Sequence, residues 1–223
     1  VDLFVSIHHS STNGTGFRNE RVWNSVVFSL GKTTRYKIIK GANMPVYKAY
    51  SPTTEINGKT VLTVVKGLGA FQSLGFHLLE KYGIKNPVTD AWYLQQSWLK
   101  VLKEIETWVG KATLKQIGKI IPENADFPAD IDSIRSALKA IDTAYHQNHR
   151  NGEVGHYTYL PMEERTVVMV CNNPYPCPFD EGLIEAMANK FKPESVKYVR
   201  VTHSDKTICR MKGGDECTYI VSW

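Results

Sequence analysis

The chain has 223 residues, enough for one large domain or for a domain of about 150 residues with an N-terminal extension. Its hydrophobic share of 42% and charged share of 22% are ordinary for a globular protein, and no apolar run approaches the roughly 20 residues of a membrane helix, so no span is expected. The formal charge of +5, from 27 basic and 22 acidic residues, is spread without a Lys/Arg run or an RNP-like aromatic motif, which leaves nucleic-acid binding unsupported.

In chain order, the first stretch mixes a strand-like run at 3–7, a polar loop at 10–16 and apolar runs at 22–30 and 36–39. A new unit is expected near Ile56, giving an N-terminal extension over 1–56 and a ligand-binding domain over 57–223. Val1 is not an initiator, so residues are expected upstream. Asn57-Gly58 reads as a turn before the β-branched run 59–65, and residues 67–82 carry helical spacing with Gly83 as a stop. Asn86-Pro87 breaks the chain. Asp90 then reads as the N-cap of a helix whose Trp92, Leu94, Trp98, Leu99, Leu102, Ile105 and Val109 recur at steps of about three and four. Leu114, Ile117, Ile120 and Ile121 suggest a second helix closed by Pro122, and Ile134, Leu138, Ile141 and Tyr145 a third.

After Asn151-Gly152 the texture changes to alternation and β-branched residues, with strands predicted at 154–160, 166–171, 196–203, 207–211 and 217–223 and one helix at 180–191. Helices first and strands afterwards give an α+β fold: a helical layer packed on a mostly antiparallel sheet, ending in a β-hairpin about Gly213-Gly214.

The four cysteines lack C-x-x-C spacing, and reduced thiols are the default, which fits a cytoplasmic protein. Cys209 and Cys217 stand equally far from Gly213, so a hairpin would set them side by side. Such a face holds a metal, a disulfide or nothing. For a metal, zinc is the expected ion, with Cys171, Cys177 or His203 completing the shell; otherwise Cys171 is a small core residue. The segment 172–180 carries three prolines, a stiff loop whose Tyr175 and Phe179 can wall a ligand, while Asp180 reads as a helix N-cap. Trp92, Tyr93, Trp98 and Trp108 form an aromatic set able to line a pocket. His146 and His149 sit at a predicted helix C-terminus, where the helix dipole favours them more than a shared metal does. Walker, G-x-G-x-x-G and G-x-S-x-G motifs are absent.

The ending Cys209-Arg-Met-Lys-Gly-Gly-Asp-Glu-Cys217-Thr-Tyr-Ile resembles the terminal hairpin of vinyl-4-reductase-type small-molecule-binding domains of sensory proteins. That resemblance implies a helical layer on an antiparallel sheet around a ligand cavity, a homodimer and, in zinc-binding members, an acidic residue and a further cysteine at the site. Lys206 stands where the acid is expected. Residues 2–8 are similar to the strand that carries a zinc-ligating histidine, here His8, in zinc-dependent N-acetylmuramoyl-L-alanine amidases. The leading expectation is a non-catalytic sensory domain for a small apolar or aromatic molecule. A zinc hydrolase using His8 and a protein interaction module are the alternatives.

Overall fold

The computed structural model describes Val5–Ser6, Val27–Phe28 and residues 46–204 and 208–223. His8 and Lys206 lie outside the described residues. The chain divides into two compact units, 1–43 and 44–223. In the first, β1 (Val5–Ser6) pairs antiparallel with β2 (Val27–Phe28).

The second unit begins with β3 (Glu55–Asn57), which runs directly into α1 (Gly58–Gly67). Asn57-Gly58 is therefore a helix start and not a turn. The Asn57 side chain accepts a hydrogen bond from the Thr60 N–H at 2.9 Å, and a Cβ on Gly58 would fall 1.8 Å from the Val88 carbonyl oxygen, so only glycine fits there. α2 (Gln72–Lys81) follows a short 3₁₀ turn. The helix predicted with Asp90 as its N-cap starts four residues late: Trp92, Tyr93 and Leu94 form β4 (Trp92–Leu94), paired with β3 in the register Ile56↔Tyr93, and α3 (Gln95–Trp108) begins only afterwards. Pairing with a neighbouring strand outweighs the helical periodicity at these three positions.

α4 (Lys111–Asn124) contains Pro122 inside its last turn, where the sequence suggested a stop, and α5 (Ile134–Gln147) is capped by Ser133 in a capping box with Ser136. β5 (His149–Arg150) completes a small sheet of order β4-β3-β5. The larger sheet, order β6-β7-β9-β8, is antiparallel throughout: β6 (His156–Pro161), β7 (Thr166–Asn172), β8 (Arg200–His203) and β9 (Cys217–Ser222). α6 (Cys177–Lys190) links β7 to β8. The fold is α+β, and β8 with β9 forms its C-terminal hairpin. Residues 208–216 are not a strand, however. They form a loop with a 3₁₀ turn at Arg210–Lys212 ended by Gly213 at φ +90°, and Cys217 pairs in register with Cys171, not Cys209.

Val167, Met169 and Cys171 of β7 alternate into a core shared with α3, α4, α5 and α6. α4 and α6 cross closely, because Gly118 faces the Phe179 carbonyl and Gly182 faces the Lys115 carbonyl, each with a would-be Cβ at 2.1 Å. Gly118→Ala and Gly182→Ala should therefore each cost about 1–3 kcal/mol, read as a lower urea midpoint with unchanged slope.

Candidate functional site

The helical layer and the two sheets frame a partly open cavity of about 40 Å³, room for about one water molecule. Its wall is drawn from α1 (Thr60), α4 (Ile121), α5 (Ile141, Ala144, Tyr145), β5 (His149), β6 (Tyr157), the loop residue Tyr175 and α6 (Phe179, Leu183). Tyr145 meets Tyr157 edge-on at a centroid separation of 5.1 Å, and Phe179 stacks on Tyr175 at 5.0 Å. The rim is aromatic and carries no Lys, Arg, Asp or Glu.

His149 is the polar centre of this wall. Its Nδ1 lies 2.7 Å from the Tyr145 carbonyl oxygen, which can only accept, so Nδ1 carries the hydrogen and Nε2 accepts from the Tyr175 hydroxyl at 2.8 Å. Burial pushes its pKa down from 6.5 to about 4, against the Tyr145 carbonyl, so the ring is neutral. The helix-dipole role expected from sequence does not apply to a neutral ring. Beyond Tyr175 stand the Gln95 amide and the Trp98 indole, both fully buried. Burial raises the Tyr175 pKa, and Gln95 and Trp98, close to its hydroxyl, oppose that rise only in part. Yet Gln95 Nε2 and Oε1, Trp98 Nε1 and Thr60 Oγ1 have no hydrogen-bond partner among the described residues. Each such atom costs about 1–3 kcal/mol when it stays unpaired.

Beneath the cavity lies a fully buried ion pair. The Arg210 guanidinium donates to Asp180 Oδ2 and to the Asn173 carbonyl oxygen, and at 2.8 Å to Asn173 Oδ1. The Tyr157 hydroxyl donates to Asp180 Oδ1 at 2.6 Å. Burial raises the Asp180 pKa while Arg210 and Tyr157 lower it; with the guanidinium in contact and its own pKa raised, the pair is ionised. Asp180 is thus an ion-pair partner inside α6 and not its N-cap, a position held by Pro176.

A second group lies at the start of α6. The Sγ atoms of Cys177 and Cys209 are 3.0 Å apart, those of Cys177 and Cys217 3.1 Å, and those of Cys209 and Cys217 3.6 Å. With His203 they form a set whose donor atoms all lie within 4.8 Å of one another, a grouping able to hold a metal ion. The Cys177 thiol, His203 and Arg210 hold Cys217 well below the usual thiol range.

Of the metal candidates, Cys177, His203, Cys209 and Cys217 converge, and Cys171 stays apart in the core, a buried free thiol. Among the ligand candidates, Tyr175 and Phe179 line the cavity and Trp98 stands behind Tyr175. Trp92 and Tyr93 are elsewhere: the Arg150 guanidinium covers the Trp92 ring at 4.4 Å, and the Tyr93 hydroxyl accepts from the Val88 N–H. Trp108 is 73% exposed. Sequence reasoning missed Thr60 and Gln95, although Gln95 occupies the apolar stripe of Trp98, Leu99 and Leu102, which is a readable sign of a polar group in a core. It also missed Arg210, for which no local signal exists.

No family model and no curated protein matches the chain, so the vinyl-4-reductase and amidase likenesses rest on their short motifs. Solved structures do match. A triple mutant of an H-NOX protein from S. oneidensis in the Fe(II) ligation state has a TM-score of 0.57 at 16% identity, over 75% of this chain and 95% of that one. A point mutant of T. tengcongensis H-NOX gives 0.54 at 13% identity, over 75% and 97%. A structure described for modulation of heme redox potential through porphyrin distortion gives 0.50 at 16%, over 75% and 100%. The chain shares the H-NOX fold.

The expectation of zinc as cofactor is corrected by these structures, which are described with ferrous ligation and heme. Heme itself is at odds with the residues present. The cavity of about 40 Å³ is far below the roughly 300 Å³ at which pockets for sizeable ligands begin. His149, the one histidine on its wall, has both ring nitrogens engaged, and no cation lines the cavity to receive the two propionates. These residues do not fit a heme.

Two outcomes follow. Because the folded pKa of His149 lies below its ordinary value, the unfolded chain takes the proton first. Stability should be full above about pH 6.5 and fall by about 3 kcal/mol as pH drops towards about 4, and His149→Gln should flatten that segment of the urea-midpoint profile. Arg210→Met should cost about 3–5 kcal/mol by stranding Asp180, with Arg210→Met/Asp180→Leu recovering most of the loss in thermal unfolding.

Proposed function

We propose that residues 57–223 form a sensory domain that takes up a small uncharged molecule, with an aromatic or apolar body and one hydrogen-bonding group, beside Tyr175 in place of heme. The observation that carries this reading is a cavity walled by aromatic rings with the unpaired Thr60 Oγ1 on its wall and the unpaired polar atoms of Gln95 and Trp98 behind Tyr175. An apolar pocket with a few convergent polar groups is the usual form of a small-molecule site. The absence of charged side chains from the wall argues for a neutral ligand.

A ligand larger than water enters by displacing the stacked Tyr175 and Phe179 rings. Tyr175 sits on the proline-stiffened loop leading into α6, and Phe179 in the first turn of α6, so displacement there moves the element that carries Asp180 and Cys177. In this reading the Cys177, His203, Cys209 and Cys217 group fastens that helix start to β8, β9 and the 208–216 loop. The working state is a homodimer in the reducing cytoplasm, consistent with four free thiols. A monomeric mass by light scattering removes the dimer from the proposal.

Phenol should raise the melting temperature in a dose-dependent way and benzoate should not. Gln95→Leu should stabilise the ligand-free protein by about 1–3 kcal/mol while weakening phenol binding about tenfold, an opposition that a purely structural glutamine would not produce. Stoichiometric heme uptake with a Soret band lost in His149→Ala would overturn the reading.

A further inference from the structure

Asp142, His146 and His156 lie outside the cavity and outside the thiol group, and one donor atom from each lies within 4.8 Å of the others. Asp142 and His146 are one turn apart on α5 and so share a face, and His156 opens β6 opposite them. The Asp142 carboxylate is 3.7 Å from His146 Nδ1 through Oδ2 and 3.5 Å from His156 Nδ1 through Oδ1. The two imidazole rings are 5.0 Å apart and 35° from parallel.

We propose that these three residues form a surface site for a first-row divalent transition cation of the kind that prefers imidazole and carboxylate, with Ni²⁺ and Co²⁺ as suitable probes. Two imidazoles and one carboxylate make the donor set such ions take with open positions left for water. The outer contacts are those that orient ligands. Tyr157 N–H donates to Asp142 Oδ1 at 2.8 Å, fixing the carboxylate, and His146 Nδ1 lies 2.8 Å from the Asp142 carbonyl oxygen, which fixes the ring. The His146 and His156 side chains are 41% and 59% exposed, so a cation reaches them from solvent, unlike the buried Cys177 and Cys217 thiols.

The position gives the site a consequence. His146 follows Tyr145 and His156 precedes Tyr157, the two rings that meet edge-on in the cavity wall. A cation held by all three residues would cross-link α5 to β6 directly behind that wall. This inference does not depend on the cavity ligand.

The test is Ni²⁺ binding to the full chain by equilibrium dialysis, with nuclear magnetic resonance to locate the paramagnetic ion. His156→Gln and Asp142→Asn should each weaken one binding equivalent by about tenfold or more, while Cys209→Ser leaves that equivalent unchanged. In the wild type, Ni²⁺ should broaden the amide signals around His146, His156 and Tyr157. Circular dichroism confirms that the surface variants fold. The proposal fails if His156→Gln binds Ni²⁺ as the wild type does, if broadening is confined to the residues around Cys177, Cys209 and Cys217, or if no equivalent binds, which would leave only a His–Asp ion pair.

Discussion

The buried contact between Arg210 and Asp180 is the constraint on which the rest of the second unit depends. Two opposite charges taken out of water persist only with further hydrogen bonds; here Asn173 accepts from Arg210 and Tyr157 donates to Asp180, and only the Arg210 Nε stays unpaired among the described residues. Those four residues come from four places: the 3₁₀ turn after β8, the first turn of α6, the loop after β7 and strand β6. Holding them together fixes the loop at 208–216 against α6, which brings Cys209 to Cys177. It also sets Tyr157 into the cavity wall, and Asn173 in turn accepts from the Tyr175 N–H at 2.9 Å and so places Tyr175.

Above that base, the interior resolves into hydrogen-bonded and orphaned polar groups side by side. His149, Tyr145 and Tyr175 complete a chain in which every donor finds an acceptor, with the Tyr145 hydroxyl closing it on the Val154 carbonyl at 2.6 Å. Gln95, Trp98 and Thr60 do not join it. In a packed core an unpaired amide is expensive, and here the space near it is walled by Tyr145, Tyr157 and Tyr175. The fold holds the cavity wall in place, while the side chains decide what enters it.

Much of the layout was legible in the sequence. The helices over α4, α5 and α6 and the strands β6, β7 and β9 follow from apolar periodicity, because each buries one face against one core. The readings that failed did so where a neighbour overrode a local signal. Asn57-Gly58 has turn composition, but the strand before it and the helix after it make Asn57 a cap. Trp92 fits a helical stripe, but pairing with β3 makes it a strand residue. Cys209 and Cys217 flank a glycine pair symmetrically, yet β9 pairs with β7 and β8, so the cysteines meet through a loop and not across a turn.

By itself the sequence determined the α+β class, the change from helices to strands near Asn151, and the chemistry on offer: four thiols, a stiff aromatic loop and a cluster of histidines. These are properties of composition and period, which short stretches of chain carry within themselves. Only the tertiary structure decided that Cys177 joins Cys209, Cys217 and His203 while Cys171 does not, that His149 is neutral, and that Arg210 is paired with Asp180. Each of these rests on contacts between residues about 30 positions apart or on burial, and neither distance across the chain nor loss of water is written in the local pattern.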